Sequence, residues 1–141
     1  MSRIFLDTNF FIYLVEGTGG RAARAKHLLR AFSTRRDEVL TSVMSVGEML
    51  VLPLRNGDQA LAQRYRSIFR GPGITVLPFV EDAAEAFARI RMDKKVKPPD
   101  AIHLATAGHA GCDLFLTNDE RLNGLIVPGI HFITSFDRAP F

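Results

Sequence analysis

Four carboxylates stand where their surroundings give an acid little reason to be. Asp7 directly follows the apolar run Ile4-Phe5-Leu6, and Asp119 comes soon after Leu114-Phe115-Leu116. Glu48 is the only charged residue between Thr41 and Leu54. Asp100 sits behind Pro98-Pro99, at the head of an Ala-rich stretch that runs to His109. Burying any of them without a partner would cost several kcal/mol, on the order of the penalty for an unpaired buried charge. Each also has an ordinary reading: Asp7 and Asp119 as helix caps, Asp100 as a dipole complement, Glu48 as half of an ion pair. Taken together they imply something more, because carboxylates that converge repel one another and need a cation between them. Hard oxygen donors, with no thiolate and no obligatory imidazole, favour Mg²⁺ or Mn²⁺ over zinc. Ser45 lies one helical turn before Glu48 on the same face, and His103 one turn after Asp100, where it reads as a polar helix residue near the acids.

The elements that must position these residues follow from apolar patterning. Short strands are expected at Ile4–Leu6, Val39–Thr41, Ile74–Leu77, Asp113–Thr117 and Ile130–Ile133. Helices are expected at Phe10–Val15 after the capping types Thr8 and Asn9, at Arg21–Arg36, from a Ser42 cap through Leu54, at Gln59–Phe69, at Glu81–Lys94 and at Asp100–His109. Ala23, Leu28, Leu29 and Phe32 supply the apolar side of the second helix, and Met44, Met49 and Met92 read as packing residues. A short turn or helix follows Asn118-Asp119-Glu120. The strands are apolar throughout rather than alternating, which predicts an α/β fold whose short, mainly parallel sheet is flanked by helices on both faces. In such sheets ligands bind beyond the carboxyl ends of the strands, where Asp7 and Asp119 fall.

The chain has 141 residues, enough for one domain over 1–141 and too few for two well-covered cores. Its single cysteine, Cys112, excludes an intrachain disulfide and a Cys-built zinc site; it reads as a small buried hydrophobe in a reducing, cytoplasmic setting. Mean hydropathy is near zero and every apolar run is short, so no membrane association is expected. The N-terminus reaches Asp7 too early for a secretory leader. A net charge of +3 is compatible with a polyanionic partner without identifying one.

Four segments carry a resemblance: Ile4-Phe5-Leu6-Asp7-Thr8-Asn9, Ser45-Val46-Gly47-Glu48, Pro99-Asp100-Ala101-Ile102-His103-Leu104-Ala105-Thr106-Ala107, and Leu116-Thr117-Asn118-Asp119. In order and spacing the sequence resembles the PIN-domain ribonucleases, and among them the VapC toxins of type II toxin–antitoxin modules. The match spans the whole chain; its last segment departs only in having Leu122 where an aromatic often follows the acid. The resemblance implies a three-layer α/β/α domain and a Mg²⁺-dependent endoribonuclease, commonly a homodimer, neutralised by a cognate antitoxin lying across the active-site groove. It assigns the acidic quartet to Asp7, Glu48, Asp100 and Asp119. Asp7 and Asp100 are then the principal metal ligands, and Glu48 and Asp119 complete the shell, hold a second ion or orient the attacking water. Thr8, Asn9 and Thr117 match positions that hydrogen-bond the acids, the water or the metal shell, and Ser45 supports Glu48.

RNA hydrolysis by metal-activated water needs in-line attack and positive charge on the phosphate. Lys94, Lys95 and Lys97 lead into Asp100 and are the better candidates for tracking the RNA backbone. The Arg21–Arg36 cluster reads equally well as a solvated helix face. Phe10, Phe11, Ile12, Tyr13 and Leu14 are mostly core, with any exposed side available for a dimer or antitoxin surface. Two rivals remain. One is a degenerate PIN domain that only binds RNA or protein, which would be expected to lack an acid. The other is an aspartate-based phosphatase, which would need a general acid where Asn9 stands.

Overall fold

The computed structural model describes all 141 residues, the Glu16 side chain excepted. Five strands, β1 (Arg3–Leu6), β2 (Glu38–Ser42), β3 (Thr75–Leu77), β4 (Cys112–Leu116) and β5 (Ile130–Thr134), form one sheet in the order β3-β2-β1-β4-β5. Every neighbouring pair is parallel. Six helices connect and cover it: α1 (Thr8–Glu16), α2 (Gly19–Arg35), α3 (Val43–Arg55), α4 (Gln59–Arg70), α5 (Ala84–Arg91) and α6 (Pro98–Ala110).

The central residues of β1, β2 and β4 alternate between two apolar cores, which explains why those runs are apolar on both faces. Ile4, Leu6, Leu114 and Leu116 face a core shared with Phe10, Phe11, Leu28, Phe32 and Met49. Phe5, Leu40 and Phe115 face the other, built with Ala101, Leu104 and Ala107 of α6. Phe5 and Phe115 stack across β1 and β4 with ring centroids 5.0 Å apart. The result is the three-layer α/β/α arrangement, and Cys112 is buried in it. Among the described residues, no helix is long and apolar enough to cross a membrane.

Several local expectations need correction. The cap of α1 is Asp7 itself, which accepts from the Asn9 backbone, so the helix begins at Thr8 rather than Phe10. The buried stripe of α2 is Ala22, Ala25, Leu28 and Phe32, spaced three to four residues apart; Ala23, one position off that stripe, is exposed. The expected Glu81–Lys94 helix is a single 3₁₀ turn, Glu81–Ala83, followed by the two-turn α5. Beyond Arg91 the chain leaves the helix and is held by the Arg91 guanidinium, which donates to the Val96 carbonyl at 2.5 Å. Met92 is consequently 78% exposed and packs nothing, unlike the buried Met49.

Candidate active site

The sheet order reverses direction at β1: β2 and β3 extend to one side, β4 and β5 to the other. The crevice at the carboxyl ends of β1 and β4 is therefore the topological switch point, where open parallel sheets bind ligands. Asp7 ends β1 and Asp119 lies three residues beyond β4, so both stand at this crevice. Crossover helices deliver the other two acids. Glu48 projects from the middle of α3, which Ser42 caps by accepting from the Met44 backbone, and Asp100 lies in the first turn of α6 behind its N-terminal prolines.

Asp7 is almost wholly buried, at 6% exposure. The Thr117 hydroxyl donates to its Oδ2, and the Asn9 backbone N–H donates to Oδ1 at 3.0 Å. Burial outweighs these donors and pushes the Asp7 carboxyl up to about 6. Asp100 is also raised, first by burial and then by the negative charge of Asp119. Asp100 is the hub of the set: Glu48 as well as Asp119 raises its pKa, and its own charge raises that of Asp7.

The remaining two acids have partners. Arg121 grips Asp119 with both arms of its guanidinium, Nε to Oδ1 at 2.9 Å and Nη2 to Oδ2 at 2.6 Å, while its backbone N–H donates to the same carboxylate. These bonds hold the Asp119 carboxyl below its ordinary value. The same Nη2 lies 3.9 Å from Asp100 Oδ2. For Glu48, burial raises the pKa, but the hydrogen bonds from His103 and Thr8 more than offset it and leave the carboxyl lowered. Thr8 Oγ1 donates to Glu48 Oε1 at 2.7 Å, and His103 Nε2 meets the same oxygen at 2.8 Å.

A buried polar seam supports this end of the site. His103 is 2% exposed and its Nδ1 lies 2.9 Å from Ser42 Oγ. Ser45 shares hydrogen bonds with Thr8 at 3.2 Å and Thr41 at 2.9 Å, and the Thr41 hydroxyl donates to the Leu6 carbonyl. Ser45 thus supports Glu48 through Thr8, and Asn9 contributes its backbone N–H to Asp7. The partner of Glu48 is a histidine and a threonine, not the arginine that an ordinary ion pair would supply. Nothing local in the sequence marks Ser42 and Thr41 as polar supports, since they reach the site only through the β1–β2 pairing. Arg121, two residues after Asp119, was open to discovery from its spacing.

Hard oxygen atoms, two of them on carboxyls that resist ionisation, are the donor chemistry a hard divalent cation relieves. Among the described residues, no three His, Cys, Asp or Glu side chains converge closely enough to hold an ion unaided.

The basic residues divide. Arg24 donates to the Phe136, Ala139 and Phe141 carbonyls at 3.0–3.1 Å, and Arg35 lies 4.1 Å over the Phe141 ring, so both anchor the C-terminus. Lys94, Lys95 and Lys97 are exposed; Lys95 pairs with Asp93 at 3.8 Å, while Lys97, the cap of α6, is close enough to lower the Asp119 pKa. Beside Glu48 an apolar groove is lined by Ile12, Val15, Met49, Leu52 and Tyr65.

No curated protein matches the chain. A toxin–antitoxin complex from Klebsiella pneumoniae is similar at 27% identity and a TM-score of 0.69, covering 90% of this chain and 94% of its own. VapBC2 from Rickettsia felis, solved with a promoter DNA fragment, shares the fold at 12% identity and a TM-score of 0.75, over 94% and 98% of the two chains. VapC20 of Mycobacterium tuberculosis, a toxin that cleaves the sarcin–ricin loop, shares it at 22% identity and a TM-score of 0.67, over 87% and 96%. The family model of the PIN domain matches residues 4–125, and the chain therefore belongs to the PIN-domain family.

Proposed function

We propose that residues 1–141 form one nuclease domain, a Mg²⁺-dependent endoribonuclease acting in the cytoplasm as the toxin of a toxin–antitoxin pair. The observation that carries this reading is that Asp7, Glu48, Asp100 and Asp119 line one crevice at the switch point, where Arg121 Nη2 lies 2.6 Å from Asp119 and 3.9 Å from Asp100, and Thr8 and His103 hold Glu48. Asp7 and Asp100 would hold the ion, with Glu48 and Asp119 binding through water or directly; Mn²⁺ has the same donor preference. The bound ion supplies positive charge for the phosphate and lowers the pKa of water. Glu48 and Asp119 orient the attacking water and accept its proton, Thr117 and Asn9 fix the Asp7 carboxylate, and Lys97 meets the RNA backbone. Lys94 and Lys95 extend that path along the surface. Attack by water rather than the ribose 2′-hydroxyl leaves a 5′-phosphate and a 3′-hydroxyl.

The partner reading rests on the groove beside Glu48, which includes the exposed Leu52, and on Val43, Val51 and Leu54 of α3, which are about half exposed on another side of that helix. An antitoxin segment in that groove would lie against the acids, and the remaining apolar surface would serve a homodimer. Purified protein incubated with total RNA should cut it in Mg²⁺ and not in EDTA, with 5′-phosphate ends. Asp100→Asn should fold, lose cleavage by at least a hundredfold on the order of a lost catalytic group, and keep its thermal stability. Full activity in that variant, or cleavage that survives EDTA, overturns the proposal.

A further inference from the structure

His103 is the only ring in the site with both nitrogens engaged, and hydrogen-bond accounting fixes how it is used. Ser42 Oγ accepts from the Met44 backbone N–H at 3.1 Å, and its one other partner is His103 Nδ1 at 2.9 Å. The buried hydroxyl proton of Ser42 thus has a single acceptor available, the ring nitrogen Nδ1. That bond leaves the ring proton on Nε2, which donates to Glu48 Oε1. Thr8 donates to the same oxygen, so Oε1 receives two donors while Oε2 has no partner among the described residues. All four participants lie on regular elements: Ser42 closes β2, Thr8 opens α1, Glu48 is in α3 and His103 in α6, and Ser42 and His103 are buried.

We propose that His103 is a positioning residue for the nuclease reaction: with Ser42 behind it and Thr8 beside it, it consumes Oε1 of Glu48 and leaves Oε2 as the single oxygen for the divalent ion or its water. The inference rests on the nuclease reading above. A carboxylate held in this way would offer a bound ion or its water one free oxygen, and outer-shell donors of this kind typically change metal affinity or activity by about 10–100-fold when removed. A flexible Glu48 would lose that direction and expose either oxygen.

The test uses the full chain in three forms: wild type, His103→Leu and His103→Gln, whose amide nitrogen reaches the place of Nε2. In metal-free wild type, long-range ¹H–¹⁵N NMR should show Nδ1 unprotonated and the proton on Nε2. Mn²⁺ titrated calorimetrically should bind His103→Leu about tenfold more weakly, and RNA cleavage should lose kcat with KM nearly unchanged; His103→Gln should recover most of both. Should His103→Leu fail to fold, Thr8→Val removes the second donor and should give the same signature more weakly. A proton found on Nδ1 overturns the proposal, as does undiminished Mn²⁺ affinity in a folded His103→Leu variant. Failure of His103→Gln to improve on His103→Leu also overturns it. A wild type with the expected ring proton that neither binds Mn²⁺ nor cuts RNA overturns instead the nuclease reading, and the role built on it.

Discussion

Asp7 carries the clearest cost of assembling the site. Its carboxyl titrates at about 6 in the fold against 3.8 in the free chain. The unfolded chain therefore ionises first, and the folded state loses ground as pH rises from about 4 to about 6. Above that window the full penalty, roughly 3 kcal/mol at about 1.4 kcal/mol per unit, is in place. Asp7→Asn removes it. In metal-free buffer the stability of this variant relative to wild type should climb across the same window and level off above pH 7. The lost pairing with Thr117 and Asn9 shifts the whole curve by a constant amount and leaves its slope intact. A stability difference independent of pH would refute the assignment. Adding Mg²⁺ should reverse the order above pH 7, because only the wild type then gains binding energy. Two of the other acids are relieved from within the chain, Asp119 by Arg121 and Glu48 by His103 and Thr8, while Asp100 stays raised. Part of the repulsion among the acids is thus met by residues of this protein.

At the scale of elements, the helix that brings Asp100 and His103 to the site is packed against the chain leading into β5. Gly108 of α6 and Gly129 approach so closely that a Cβ on Gly129 would stand 2.0 Å from the Gly108 carbonyl oxygen, and one on Gly108 would stand 2.5 Å from that of Pro128. Gly129 also has φ +89°, in the region that disfavours side chains. Gly129→Ala should cost about 2–4 kcal/mol, combining overpacking and left-handed strain, read as a fall in the thermal midpoint. Gly108→Ala should be destabilising too, and the Mn²⁺ affinity of whatever remains folded should be unchanged, since neither glycine reaches an acid. The pattern of strands and helices was legible because each element announces itself locally: Ser42 as a cap, Pro98-Pro99 before α6, unbroken apolar runs for strands buried on both faces. What misled were Met92 and the tail of the Glu81–Lys94 stretch. Helical propensity there continues past Arg91, but the local bond from the Arg91 guanidinium to the Val96 carbonyl accompanies a turn instead.

Across the whole molecule, the reversal of sheet order at β1 decides that the N-terminal acid meets one from near the C-terminus. The exposed Lys97 stands at the same edge as Asp119, while Arg24 and Arg35 are committed to holding the chain end. Lys97→Ala should therefore weaken RNA binding and reduce the magnitude of the salt dependence of log K by about 0.7, the share of one phosphate contact on a single strand. Arg30→Ala, on the exposed side of α2, should leave that slope alone. A binding isotherm repeated over a range of salt concentrations distinguishes the two, and an equal loss in both would mean the charge acts only in bulk. The sequence by itself determined most of the elements and the two-sided burial of the central strands, and it singled out four acids as candidates, because those rest on local periodicity and on residue types that hydrophobic surroundings do not tolerate unpartnered. The partners were decided only by tertiary structure. Ser42 with His103 and Thr8 with Glu48 are separated by 61 and 40 residues, and only the parallel pairing of strands and the packing of α6 on the sheet bring them within hydrogen-bond distance.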